Sequence, residues 1–414
     1  MDAETHFEES ETKNGFIGEQ WKALIRRIAE GEIGSLPVLL GLILIAIIFQ
    51  LANDNFLTPL NLTNLMVQIA STGTIAVGVV LVLLLGEIDL SIGWVSGFTA
   101  GIMAVLSVKQ QQPAWIALGA AIAAGAGIGL LQGWWIAKLK VASFIVTLAG
   151  FLLWNGALLY ILGQTGTINL NDPVIIAISN TNLPVWFGWV LGVGAMLVFA
   201  YTQVRERSRR AKAGIRFSSM PATIGKIILI SAVVLLIVFL LNLNRNPRQG
   251  EPIQGIPSAM LIFLAFVIIF DLLTRKTAWG RYVFAVGGNA EAARRAGINV
   301  DRIRISVFIL GSTLAACGGI LAGSRLFAVN QSSGGGPELL NAIAAAVIGG
   351  TSLFGGRGNT WSALLGILVI GSISNGMNLL ALESSIRFMV TGAVLLVAVT
   401  LDAYARSRRE VSGR

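Results

Sequence analysis

The sequence predicts an all-α integral membrane protein, a polytopic bundle of about ten to twelve transmembrane helices with both termini cytoplasmic. Three observations carry that prediction: bulk composition, the spacing of apolar stretches, and the placement of positive charge. Of 414 residues, 55% are hydrophobic and only 12% charged, and the mean hydropathy is +0.76. A soluble domain carries about 25% charged residues, so this chain lacks the polar groups to cover a surface in water. Lipid removes that requirement. The 48 glycines suit the same medium, because small residues let membrane helices approach closely where hydrophobic burial gives little drive.

About twelve apolar stretches lie near 36–52, 65–86, 91–108, 114–137, 141–162, 186–204, 224–243, 258–274, 306–324, 341–354, 361–381 and 386–404. Each is close to the ~20 helical residues that cross a ~30 Å hydrocarbon core. They read as helices, since backbone groups in lipid must be satisfied within each segment and no alternation of period two points to a barrel. The stretch 341–354 is short, and a half-helix that enters and returns is one reading of it.

With the N-terminus inside and all twelve segments crossing, 25 of the 30 basic residues fall on the cytoplasmic side. Only Lys109, Arg245, Arg248, Arg325 and Arg387 fall outside. So lopsided a distribution fits the positive-inside rule. The net charge of +9 is thereby spread over loops that set topology and meet anionic membrane lipid. No basic patch is interleaved with aromatics, so no nucleic acid partner is expected. Residues 1–34 form a cytoplasmic tail. Its acidic start, Asp2, Glu4, Glu8, Glu9 and Glu11, does not resemble a cleavable signal. Ile17, Trp21, Leu24, Ile25 and Ile28 recur at helical spacing, as in an amphipathic helix lying on the membrane or docking on a partner. Residues 35–404 form the transmembrane domain, and 405–414 a basic cytoplasmic tail.

The chemistry available is limited. One cysteine, Cys317, excludes an internal disulfide and a cysteine-based metal site, and one histidine, His6, leaves none for a triad. No phosphate-binding G-x-x-x-x-G-K-[ST] run exists: Gly225-Lys226 comes nearest, but Met220 stands where the first glycine is required. No cofactor is expected on this chain.

The cytoplasmic loop 275–305 is the most informative segment. Asn289 can cap a helix over 290–296 and Gly297 can end it, while Arg294 and Arg295 complement the dipole in its last turn. A short alanine-rich helix of this kind is either a knob for a cleft on another protein or a plain connector. The run Glu291-Ala292-Ala293 with Gly297 looks like the EAA–x3–G signature of ATP-binding-cassette importer permeases, without that signature's later isoleucine and Leu-Pro pair. More specifically, 280–305, GEIDLSIGWVSGF (86–98), AIAAAVIGGTSLFGGRGNT (342–360) and ISNGMNLL (373–380) resemble the ribose/xylose/arabinose family of such permeases. The likeness spans roughly 35–404 except 186–254, which looks like an extra helical pair absent from the shorter ribose-type members. The longer form resembles D-xylose permeases.

That resemblance implies a monosaccharide importer of the inner membrane, assembled as a homodimer and working by alternating access. It implies a cytoplasmic ABC ATPase subunit that binds ATP, and a periplasmic or extracytoplasmic sugar-binding protein that docks on outer loops such as 163–185, 244–257 and 331–338. For Asn289, Glu291, Ala292, Ala293, Arg294, Arg295 and Gly297 it implies coupling to the ATPase.

Polar groups at membrane depth are costly and mark functional candidates. Glu87, Asp89 and Ser91 lie between two apolar segments, in an element that matches a second at Gly86/Gly349, Leu90/Leu353 and Gly93/Gly356. Paired glycine-interrupted segments point to a translocation path, which would include Glu87, Asp89, Ser91, Thr351 and Ser352. These residues fit equally well in wetted turns at helix ends. Asn375 and Asn378, with Ser374, could bond sugar hydroxyls or tie helices together. An ion-coupled secondary transporter is the competing reading. It needs a buried acid, for which Asp89 and Asp271 are the candidates. An enzyme is not expected, since no nucleophile–base or metal set is present.

Overall fold

The computed structural model describes residues 36–214, 220–246 and 252–411; the predicted amphipathic helix at 17–28 lies outside them. The helices are α1 (Leu36–Ala52), α2 (Pro59–Leu84), α3 (Ile92–Ala104, continued by a π turn to Lys109), α4 (Ala114–Lys138) and α5 (Ser143–Leu162). Then come α6 (Pro173–Asn180), α7 (Val185–Lys212), α8 (Met220–Asn242), α9 (Ser258–Lys276), α10 (Ala278–Gly288) and α11 (Ala290–Arg295). The last four are α12 (Val300–Leu326), α13 (Gly336–Ile348), α14 (Trp361–Leu379) and α15 (Ser384–Val411). Among the described residues, nine helices are long and apolar enough to cross a membrane.

The core is built on α2 and α12. Helix α2 carries polar side chains between Asn61 and Thr74 and is apolar beyond them, and 89% of its apolar window is buried, which marks a central helix rather than a surface one. It packs on α9, α12, α13 and α14, and α12 also packs on α3, α4 and α6. The α4–α12 contact is close because Gly125, Gly129 and Gly133 recur every four residues on one face. A Cβ on Gly125 would lie 2.7 Å from the Ser312 carbonyl, and one on Gly133 2.9 Å from Ile305 Cα. This is the small-residue packing expected between membrane helices.

Two ends can be distinguished. One carries Lys138, Arg209, Arg275, α10 and α11, and is called the basic end. At the other, β1 (Thr167–Asn169) pairs antiparallel with β2 (Ala328–Asn330). The loop 163–185 is therefore more ordered than a polar linker: Asp172 caps α6 by accepting from the Val174 and Ile175 amides at 2.8 and 3.1 Å.

Helix α13 has 13 residues, about 20 Å at 1.5 Å per residue, too short to cross alone. It nevertheless does not return to the face it entered. The segment after it runs on in extended and turn conformation until the Gly356 amide donates to the Leu84 carbonyl at 2.9 Å, at the basic end of α2. From there α14 leads back to the end where β1 and β2 pair, and at that end Asn53 donates to the Leu379 carbonyl at 3.1 Å.

Helices α7 and α8 pack chiefly on each other, and only 11% of either apolar window is buried. They form a peripheral hairpin beside the main bundle.

Candidate functional site

Two places concentrate polar groups that ordinary membrane packing does not require. The first is a partly open cavity of about 510 Å³ lined by α2, α12, α13, α14 and α15, within the range of small-molecule sites. Its polar wall includes Gln68 and Thr72 on α2, Arg325 on α12, Glu338 and Asn341 on α13, and Arg387 on α15. The Thr72 hydroxyl donates to Glu338 Oε2 at 2.6 Å, and Arg325 interacts electrostatically with that carboxylate. Arg387 donates to Asn378 Oδ1, and to Ser384 Oγ at 2.7 Å. Two fixed cations, one carboxylate and several amide and hydroxyl groups thus face one space. Such a wall can hydrogen-bond a polyhydroxylated solute from several directions.

The second place is the knob at the basic end. Asn289 Oδ1 accepts from the Ala292 amide at 2.9 Å and starts α11. Gly297, at φ +84°, ends it, and the Ile298 amide donates back to the Ala293 carbonyl at 3.0 Å. Asn299 repeats the device at once, capping α12 through the Arg302 amide at 3.0 Å. Ala293 is buried, while Glu291, Ala292, Arg294, Arg295 and Gly297 are exposed. Glu291 lies 3.9 Å from Arg294 and 3.8 Å from Arg295, pairs too exposed to add much stability. Removing the cap by Asn289→Ala should cost about 1 kcal/mol of local helix stability. Faster amide exchange over 290–296, with the membrane helices unchanged, is the expected readout.

The sequence candidates for a path separate. Asn378 lines the cavity, but Asn375 does not. It exchanges two amide hydrogen bonds with Asn61, at 2.8 and 3.1 Å, and ties α14 to α2. Glu87, Asp89, Ser91, Thr351 and Ser352 all lie towards the basic end. Glu87 is 3.1 Å from Arg304 at the start of α12. Asp89 is buried and accepts from the Ser91 amide and hydroxyl at 2.8 and 2.7 Å. Burial raises its pKa, partly offset by those bonds. Ser91 in turn accepts from Gln132 at 2.8 Å. Thr351 is buried, and Ser352 Oγ accepts from the Phe354 amide at 3.2 Å. Asp271, the other candidate acid, is paired with Arg275 at 2.8 Å.

The two glycine-interrupted loops meet each other and the end of α10. A Cβ on Gly355 would lie 2.6 Å from the Gly287 carbonyl and 2.8 Å from the Gly86 amide, and one on Gly287 would collide with the Leu84 carbonyl. Three backbones touch here with no side chain between them. The chain segment leading into the knob therefore bears directly on the end of α2 and on the non-helical part of the α13 crossing.

Sequence reasoning missed Arg325, Glu338 and Arg387. Its signal was present in the five cations that the positive-inside count left over. Of these, Lys109 caps α5 through the Leu162 carbonyl at 3.0 Å. Arg245 is buried on the Leu241 and Gly255 carbonyls, and Arg248 lies outside the described residues. The remaining two line the cavity. Among the described residues no cluster of His, Cys, Asp and Glu could hold a metal ion.

A bundle with nine helices long and apolar enough to cross a membrane among its described residues, and a cavity between its helices, fits a transport permease, a multi-pass protein of the inner membrane. The chain belongs to the family described as branched-chain amino acid transport system / permease component, whose model matches residues 61–399. It is 36% identical over 369 residues to the xylose transport system permease protein XylH of Escherichia coli K12, covering 89% of this chain and 91% of that protein. To XylH of Haemophilus influenzae it is also 36% identical, covering 89% and 96%. To the ribose import permease protein RbsC of Bacillus subtilis it is 34% identical over 374 residues, covering 90% and 94%. No solved structure matches the chain.

Proposed function

We propose that this chain is the membrane-spanning subunit of an ATP-driven importer for a monosaccharide, with D-xylose the best-supported sugar. The observation that carries the reading is the likeness to xylose permeases over nearly the full length of both proteins. The cavity supports it. Among largely apolar walls, Gln68, Thr72, Asn341 and Arg387 offer donors and acceptors suited to sugar hydroxyls.

In this reading two copies assemble with two ATPase chains, which bind and hydrolyse the ATP; this chain performs no catalysis. The basic end faces the cytoplasm, as the positive-inside rule requires, and α11 seats in a cleft of the ATPase. A sugar-binding protein delivers its load at the opposite end, where β1 and β2 pair. ATP-driven closure of the partner pushes on α11, and the push passes through the contact of α10 with Leu84, Gly86 and Gly355. The cavity then exchanges access between the two faces.

The competing ion-coupled reading gains one group, because Glu338 is a carboxylate in the cavity. Uptake by vesicles containing the permease, the ATPase and the binding protein separates the two. ATP-dependent accumulation should persist when sodium and proton gradients are collapsed. Loss of uptake on collapse, with ATP still present, would overturn the importer reading.

A further inference from the structure

We propose that the cleft between the basic ends of α7 and α9 is a binding site for the headgroup of an anionic phospholipid. The cleft has a volume of about 620 Å³, and its lining includes Thr202, Arg205, Glu206, Arg209, Arg210 and Lys276. Thr202, Arg205, Glu206 and Arg209 are spaced by three or four residues and share one helix face, which Lys276 meets from the end of α9. Four cations therefore surround one acid. That acid is already engaged, since Arg210 donates to Glu206 at 2.5 Å. Arg205 lies over the Tyr201 ring at 6.0 Å. Arg205, Arg209 and Lys276 are exposed and leave a net positive space.

The walls beyond the charges identify the occupant. Four and seven residues before Arg205 on the same face stand Tyr201 and Val198, 63% and 64% exposed. Four and seven residues before Lys276 stand Leu272 and Ile269, 51% and 55% exposed. Both walls change from cationic to apolar at the same level, going from the end of the bundle towards its middle. A ligand that fills the cleft and follows those walls is anionic at one end and hydrocarbon along the rest. A phospholipid matches this, with its phosphate among the guanidinium groups and its acyl chains against Val198, Leu272 and Ile269. A free anion would leave the apolar part unused. An acidic protein segment would have to enter the hydrocarbon region to reach it. The peripheral α7–α8 hairpin creates the site, because it packs on itself and leaves its basic end apart from the main bundle. Basic pockets between membrane helices on the cytoplasmic side bind anionic headgroups for the same electrostatic reason. The proposal does not depend on which solute is transported.

The test is native mass spectrometry of the full chain released from detergent after equilibration with phosphatidylglycerol or phosphatidylcholine. The variant Arg205→Gln/Arg209→Gln/Lys276→Gln should retain phosphatidylglycerol more weakly, by about fivefold for each charge removed, with phosphatidylcholine retention unchanged. A charge-matched control, Lys140→Gln/Arg281→Gln/Arg302→Gln, should keep wild-type retention. Equal retention by the cleft variant, or equal loss in the control, would overturn the proposal. So would displacement of the lipid by inorganic phosphate alone, which would assign the cleft to a free anion.

Discussion

Gly287→Ala should reduce ATP-driven uptake by about 5–150-fold, the range of a typical coupling free energy between sites, whereas Gly288→Ala next to it should have little effect. The contrast follows from surroundings. A Cβ at 287 meets the Leu84 carbonyl and lies 2.8 Å from the Gly356 amide, while one at 288 meets nothing within 4 Å. Helix propensity alone predicts the reverse for 287, since alanine is favoured over glycine by about 1 kcal/mol inside a helix. Overpacking at this junction costs about 1–3 kcal/mol, and it separates α10 from the end of α2 and from the α13 crossing. Uptake and ATP hydrolysis measured together on the assembled complex decide the matter. The expected variant still hydrolyses ATP but moves little solute. Equal uptake by the two alanine variants would refute the contact-based account of transmission.

Arg325→Ala and Glu338→Ala should each lower uptake about tenfold or more, because a hydrogen bond to a charged group contributes about 1.5–3 kcal/mol. Glu338→Ala also leaves the Thr72 hydroxyl without its partner, so its effect should be the larger. Both residues are far from α11, and binding of the ATPase should be unchanged. Glu338→Gln provides the finer distinction. It keeps an acceptor for Thr72 and a similar volume, so a sugar held by hydrogen bonds should lose less than with alanine. If glutamine abolished transport as completely as alanine does, the carboxylate charge itself would be required, and proton or sodium coupling would regain standing.

The membrane helices were legible because each is a run of apolar residues whose length the bilayer sets. Their ends were less so. Helix α2 begins at Pro59, six residues before the apolar stretch at 65, because Thr58 caps it and Pro59 fits its first turn. Helix α12 begins at Val300 because Asn299 caps it, although its first residues are charged. The knob was legible in full, since Asn289 and Gly297 are local signals that need no tertiary context. The cavity was not. It unites Thr72, Arg325, Glu338 and Arg387 from four helices separated widely in sequence, and no periodicity reports such a meeting. Glu87 drew attention as a charge between apolar segments, but its partner Arg304 lies more than two hundred positions away. Asn375 and Asn378, three residues apart on one helix, look alike in the sequence. Packing alone assigns one to a tie with Asn61 and the other to the cavity.

Helix α12 starts three residues after Gly297, runs unbroken for 27 residues, and ends with Arg325 in the cavity wall. At 1.5 Å per residue it is a rod of about 40 Å, so a tilt of about five degrees would sweep one tip roughly 3–4 Å relative to the other. In the proposed mechanism this helix would be a second mechanical link between the two ends, beside the contact of α10 with Leu84, Gly86 and Gly355. One continuous helix spans the distance from the residue that follows the knob to a guanidinium in the cavity wall.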